Sequence, residues 1–242
     1  MEGVATLWVY LSTSPLLWLT ATLAAYLGAD QVQKRLGRHP LANPVLMAVL
    51  VLVAVLRVSG TSYATYFNGA QFVHFMLGPA TVALAVPLAA KAGEVRRLLL
   101  PMVVSVVAGS VTAIGAAVGI AALLGASRTT LLSLAPKSVT TPIAMAIAEQ
   151  IGGLPGLTAV LVILTGITGA VLVTPLMNAL GLRDYAARGF AAGVASHGIG
   201  TARAFQVNEI AGTFAGLGLA LNGLVTAVMA PALVHLWQWL GR

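Results

Sequence analysis

The chain has 242 residues, 59% of them hydrophobic and 8% charged, with a mean hydropathy of +0.95. A soluble domain carries about 25% charged residues, so this sequence cannot cover a water-facing surface and reads as an integral membrane protein. At roughly 20 apolar residues per spanning helix nothing is left for a large soluble module. That argues against extramembrane catalysis, and the protein is not expected to be an enzyme. The net charge of +7 is a topology signal before it is a nucleic-acid signal, and the absence of Cys excludes disulfides and thiolate sites.

Taken in order, Met1 and Glu2 lack the basic stretch of a cleavable signal, so the first apolar run, about Leu7 to Ala29, is expected to be a retained span. Pro15 sets off a short interfacial piece from it. Asp30 to Pro40 holds Lys34, Arg35, Arg38 and His39. By the positive-inside rule this loop is cytoplasmic and the N-terminus outside. A second span follows from about Asn43 to Val58. Gln71 to Ala90 is apolar but carries Gly78, Pro79 and Pro87, and Lys91, Arg96 and Arg97 separate it from a long helix, Leu98 to Leu124. Then come an interrupted segment from Leu131 to Ile151, a span from Gly156 to Leu180, a second interrupted segment from Ala186 to Phe205 and a final span from Gly212 to Leu240.

The expected fold is therefore an all-α polytopic membrane protein forming one domain over residues 1–242. It has about eight transmembrane crossings, with discontinuous or re-entrant helices lining a central site. Eight crossings put both termini outside, and each re-entrant segment would change the parity. The likeness of Leu77–Val82 to Leu134–Val139 is a weak internal echo of the repeats found in secondary transporters. It is parallel if two full spans separate the copies and inverted if one copy is re-entrant.

The chemistry lies in the interrupted segments. Leu134 to Pro142 reads LAPKSVTTP, a lysine and three hydroxyls between two prolines. Proline leaves carbonyls unpaired, and hydrocarbon tolerates such backbone only around a lined cavity. A helix restarting near Thr140 or Thr141 aims amides and a partial positive charge into that cavity, and Lys137 adds a full one. The guest this implies is an anion. Ser138, Thr140 and Thr141 either bind it or occupy the carbonyls that proline frees, while the ordinary reading of Lys137 is a side chain snorkelling to the interface. Glu149, followed by Gly152 and Gly153, is expected at a loop or in water.

The second candidate, Gly193 to Arg203, reads GVASHGIGTAR. Gly198 and Gly200 let the backbone leave helical geometry, Thr201 is expected to cap the restart, and His197 and Arg203 flank the break. Arg203 offers a planar fork to a carboxylate and is expected to pair with Lys137 as a clamp. The competing readings are an interhelical hydrogen bond for His197 and an interfacial anchor for Arg203. Gly166 and Gly169, like Gly109, Gly115 and Gly119, are read as close helix packing. His39, His74, His197 and His235 form no ligand cluster, so no metal is expected. Without a phosphate-binding loop or dinucleotide fingerprint no cofactor is expected either, and transport would run on gradients.

These segments resemble the LrgB/CidB family, described as antiholin-like or murein hydrolase export regulators. The residues that carry the likeness are Ser133 to Ala159, Gly166 to Ala170, Arg188 to Ala204 and Leu77 to Leu88. One departure is Val173-Thr174, where the family pattern leads one to expect a glycine. The resemblance covers nearly the whole chain. It implies an eight-span fold in a bacterial plasma membrane, acting with a small LrgA/CidA-type membrane partner. It also implies a choice of activities, since plastid relatives exchange glycolate and glycerate, similar bacterial pairs take up pyruvate, and others are tied to autolysis. Residues and resemblance meet in a secondary transporter of small monocarboxylates such as glycolate, glycerate, lactate or pyruvate. In it Lys137 and Arg203 neutralise the carboxylate, while Ser138, Thr140, Thr141 and Thr201 bind the second oxygen function. His197, beside Gly198 and Gly200, carries a coupled proton. The alternative is a regulator that restrains holin-like oligomers. The partners expected are the lipid bilayer, the carboxylate, the LrgA/CidA-type protein and a second copy in a homodimer, with no nucleic acid.

Overall fold

The computed structural model describes residues 14–39, 41–76 and 92–240, with positions 79, 82, 83 and 89 between them. The prolines and glycine of the Gln71 to Ala90 segment, apart from Pro79, and the echo at Leu77 to Val82 lie mostly outside the described residues. So do residues 7–13 of the first expected span. Within the described residues all regular structure is helical: α1 Pro15–Arg35, α2 Pro44–Ser59, α3 Tyr63–Phe75, α4 Ala92–Leu123, α5 Arg128–Leu134, α6 Thr141–Ile151, α7 Pro155–Ala179, α8 Tyr185–Val207 and α9 Glu209–Leu240. The chain divides into two compact units, Met1–Ala85 and Val86–Arg242.

In the first unit, α1 begins where Pro15 fits the first helical turn and continues past Ala29, so Lys34 and Arg35 sit in its last turn, where cations suit the dipole. Lys34 also pairs with Asp30 at 2.6 Å. Asn43 caps α2, its Oδ1 accepting from the amides of Val45 and Leu46, and Gly60 at φ +65 closes it. Helix α3, absent from the sequence reading, packs on α1 through the buried Trp18, which meets Tyr66 edge-on at 5.8 Å.

Among the described residues the second unit holds three helices long and apolar enough to cross a membrane, Arg96–Leu123, Pro155–Ala179 and Glu209–Val234. They carry α4, α7 and α9. The two interrupted segments between them turn back on themselves. The Leu154 amide donates to Ser133 Oγ at 2.8 Å, and Thr158 Oγ1 donates to the Ser133 carbonyl at 2.9 Å. A continuous helix would place residues 133 and 154 about 30 Å apart. The chain therefore leaves α5, turns at residues 135–140 and returns along α6 before α7 begins.

Helix α8 does the same. His197 at φ 42, ψ −136 breaks it into arms of residues 185–196 and 198–207, and a Cβ on Gly200 would lie 2.8 Å from the Ala192 carbonyl eight residues back. Gly189 on the first arm abuts Ala211, and Phe205 on the second abuts Gly212. A straight helix would hold Gly189 and Phe205 about 24 Å apart. Two of the eight expected crossings, Leu131 to Ile151 and Ala186 to Phe205, are thus re-entrant hairpins. Their breaks fall where the prolines, and in the second case the Ser-His-Gly run, deprive the backbone of a continuing helix.

The hairpins point at each other. Hairpin 1 starts and ends beside Leu154, at the start of α7, whereas the base of hairpin 2 lies beside Thr174 and Asn178, near its end, where Arg188 donates to the Asn178 side chain at 2.8 Å. Leu154 and Thr174 are about 30 Å apart along α7, the thickness of a hydrocarbon core. Hairpin 2 is seated on α9 with no side chains between: a Cβ on Gly189 or Gly193 would overlap the carbonyls of Ala211 and Ala215. The same close approach holds in small-residue helix pairs in membranes. Gly109 likewise sits tight against Val194, but Gly115 and Gly119 face open space and are not packing positions.

Gly193→Ala is expected to lower the thermal midpoint of the detergent-solubilised protein by an amount equivalent to about 1–3 kcal/mol of overpacking, whereas Gly119→Ala leaves it unchanged or raised. Equal midpoints for the two variants, measured by thermal unfolding, would contradict the backbone contact.

Candidate functional site

The hairpin tips meet around one amide. Asn222, 1% exposed in the middle of α9, donates from Nδ2 to the Ser138 carbonyl at 3.0 Å and to the Val194 carbonyl at 2.9 Å. Its Oδ1 accepts from Ser110 Oγ on α4 at 2.6 Å and from Thr226 Oγ1 at 3.2 Å. Both donors and both lone pairs of the amide are in use, and the two carbonyls, which can only accept, prevent it from flipping. Sequence reasoning missed Asn222. The signal was there: Asn222 and Thr226 are polar residues four apart in an apolar span, and Ser110 is another in α4.

Hairpin 1 brings four expected residues to its tip. Lys137 is half-buried and its Nζ donates to Ser138 Oγ at 3.3 Å. No carboxylate is within ion-pair reach of Lys137 among the described residues. Thr140 is the N-cap of α6 with extended backbone and no side-chain cap, and Thr141 and Pro142 open the helix. Pro142 has no amide and Thr140 Oγ1 caps nothing, so the Thr141 and Ile143 amides have no intrahelical carbonyl to meet. The Thr140/Thr141 restart is where the spacing put it. Glu149 is exposed.

Hairpin 2 brings His197, Gly198, Gly200 and Thr201 to the opposing tip. His197 is 4% exposed and its Nε2 lies 2.8 Å from the Val162 carbonyl. Only a ring nitrogen bearing hydrogen can donate to a carbonyl, so Nδ1 is the acceptor of the neutral ring. Gly166 and Gly169 make room for this turn, since side chains there would run into His197 and Ser196. His197 holds a conformation usually left to glycine, at a cost of about 1–3 kcal/mol. Gly198 faces open space, whereas Gly200 is where the two arms touch.

Two expectations are corrected. Thr201 does not cap the restart: it lies a full turn inside the second arm, and its hydroxyl donates back to the His197 carbonyl at 2.9 Å. Nor does Arg203 stand at the tip with Lys137. It is about 9 Å along the arm from His197 and lines a cavity at the base of hairpin 2 with Arg188, Val173 and Thr174. Six residues of helix carry it away from the break.

The electrostatic result follows from which backbone groups are occupied. In each hairpin the first arm ends and the second begins at the tip, so negative and positive helix ends coincide there. The carbonyls of Ser138 and Val194 are taken by Asn222 and that of His197 by Thr201. At the tip of hairpin 1 the Thr141 amide still has no side-chain cap or intrahelical carbonyl, and it lies near Lys137 in the chain. Unpaired amides at a helix start suit anions in general.

A family model described as the LrgB-like family matches residues 22–236. This chain belongs to the LrgB-like family. The LrgB-like chain is similar to the uncharacterized protein YwbG of Bacillus subtilis, with 36% identity over 89% of this chain and 96% of that one. It is similar also to the holin-like protein CidB of Staphylococcus epidermidis, at 29% over 91% and 96%. The antiholin-like protein LrgB of Bacillus subtilis is 28% identical over 92% and 96%. No solved structure matches the chain.

Asn222→Asp keeps the shape but puts a carboxylate oxygen against two carbonyls, and Asn222→Leu leaves the Ser138 and Val194 carbonyls and the Thr226 hydroxyl unmatched, Ser110 keeping its bond to the Val106 carbonyl. Both are expected to destabilise the protein, each unmatched group by about 1–3 kcal/mol, with Asp the worse, as read by thermal unfolding in detergent. His197→Gly relieves the backbone and is expected to melt above His197→Ala, which keeps the strain and loses the same ring. The reverse order would show that residue 197 is unstrained.

Proposed function

We propose that this LrgB-like membrane protein carries a small organic anion across the bilayer, of the class of glycolate, glycerate, lactate or pyruvate. The single observation that supports it is the pair of opposed re-entrant tips, at which uncapped helix amides and Lys137 gather without a carboxylate. Discontinuous helices around a midplane site are the architecture of secondary carriers, and an intramembrane cation without a counter-charge marks a pathway more often than a scaffold. In this reading Lys137 balances the carboxylate, Ser138, Thr140 and Thr141 bind its neighbouring oxygen, and His197 exchanges a proton through Nδ1. The loop from Lys34 to His39 faces the cytoplasm of a bacterial cell.

The second reading is a holin-like or antiholin-like role, in which the protein works with an LrgA/CidA-type membrane partner to govern murein hydrolase export and lysis. The names of two relatives, the holin-like protein CidB and the antiholin-like protein LrgB, favour this reading over transport of any particular acid. The tip geometry favours the first. The two are compatible if the anion flux is what regulates the partner.

The test is uptake of labelled glycolate, pyruvate and lactate into liposomes holding the purified protein, with and without a pH gradient and with and without the LrgA-type partner. Saturable uptake is expected, falling at least about tenfold in Lys137→Ala, since loss of a charge-assisted contact is worth roughly 1.5–3 kcal/mol. No uptake of any acid even with the partner present would reject the carrier, and lysis still controlled by Lys137→Ala in cells would establish the regulatory reading.

A further inference from the structure

A slot of about 270 Å³ lies between α4, the first arm of hairpin 2 and α9. Its floor is Met102, Phe190 and Phe214, all buried, and its walls include Leu98 and Ala187, both exposed. Asp184 is the one charged residue in the lining. At roughly 30 Å³ for a group the size of a water or a methylene, the slot holds about nine of them. That is a stretch of hydrocarbon chain rather than a small acid.

The slot has a wet end and a dry end. Leu98 and Asp184 border it, and eleven residues on in α4 and ten on in α8 Gly109 packs against Val194, so the two helices run side by side in the same direction. Arg96 and Arg97, both exposed, open the apolar span Arg96–Leu123, which places the Asp184 end at the membrane surface. Ser105, about 10 Å further along α4, lies within the hydrocarbon. Acceptors collect at the surface end. Asp184 Oδ1 caps α8 by accepting from the Ala187 amide at 2.8 Å, and no ion pair holds the carboxylate among the described residues. Pro101 has no amide, so the Arg97 carbonyl one turn earlier lacks its helical donor. A carboxylate and a bare carbonyl call for a donor that carries positive charge, whereas Arg96, Arg97 and Arg183, all exposed at this end, suit a phosphate.

We infer that the slot binds a phospholipid with a primary ammonium headgroup, of the phosphatidylethanolamine type. One acyl chain lies on Met102, Phe190 and Phe214, the ammonium donates to Asp184 and to the Arg97 carbonyl, and the phosphate is met by the arginines. Phosphatidylcholine has the same charges, but its quaternary nitrogen has no hydrogen to donate, and phosphatidylglycerol has no cation at all. Headgroup selectivity therefore reports on Asp184. The site is independent of the carrier reading, because the Asp184 carboxylate repels a free organic anion.

In the test, the purified full-length protein in detergent is offered an equimolar mixture of phosphatidylethanolamine, phosphatidylcholine and phosphatidylglycerol with identical acyl chains, and the retained lipids are read by native mass spectrometry. The ethanolamine lipid is expected to be retained about threefold or more over each of the others, the range of an exposed charged contact. Asp184→Asn keeps the helix cap, since Asn caps as well as Asp, and is expected to bring the ethanolamine lipid down to the choline level. Ala187→Phe fills the slot and is expected to lower retention of all three, with thermal unfolding checking that each variant is folded. Equal retention of the three lipids, phosphatidylglycerol held above the others, or a preference unchanged in Asp184→Asn would overturn the site. Undiminished retention in folded Ala187→Phe would overturn it as well, by placing the lipid elsewhere. So would a protein that retains no lipid of any class, which leaves the slot to a protein segment.

Discussion

The side-chain amide of Asn222 is the point on which the second unit depends. It has to reach two carbonyls that belong to different hairpins and to residues 84 and 28 positions away in the chain. The Ser138 carbonyl lies in the turn between α5 and α6, and that of Val194 lies three residues before the break at His197. In hydrocarbon each would cost several kcal/mol if left bare. One side chain meets both, and because the two carbonyls can only accept they keep the amide the right way round, with the hydroxyls of Ser110 and Thr226 against its oxygen. Packing then follows: glycines at 189 and 193 let hairpin 2 approach α9 closely, and Val139, Ala144 and Ile147 of hairpin 1 close on Ile114, Val162 and Ala230.

The same contacts sort charge. A re-entrant hairpin brings a helix C-terminus and a helix N-terminus to one place, and left alone their partial charges would largely cancel. Where the carbonyls are occupied and the amides are not, such a turn becomes electropositive. Lys137 adds its charge at the tip of hairpin 1. On the carrier reading proposed above, anion binding depends as much on which backbone groups are paired as on the cation.

Much of this was legible in the sequence, and for clear reasons. Proline at 136 and 142 and glycine at 198 and 200 act locally, so both breaks were placed within a residue or two. Spans built of 20 or more apolar residues were equally plain. What the sequence did not give away was direction. Whether a broken segment crosses or returns depends on contacts such as Ser133 with Leu154, which no local pattern encodes. The clamp between Lys137 and Arg203 failed for that reason: flanking a break in sequence says nothing about height in the membrane once the arm runs back toward its base. Asn222 was overlooked because its partners are backbone carbonyls, which leave no trace in composition. Gly166 and Gly169 were read correctly as packing positions, though what they accommodate is the His197 turn.

The place of Asn222 near the end of the chain also sets an order of assembly. Helix α5 has seven residues and α6 eleven, too few to span a bilayer by themselves. Residues 128–151 leave the ribosome long before residue 222 exists. During that interval the tip of hairpin 1 has no amide to receive its carbonyl, so it has to wait in a polar setting, at the membrane surface or in the translocon, until α9 arrives. The two hairpins are therefore closed by α9, and a chain cut short before Asn222 leaves both without the group that pairs their carbonyls.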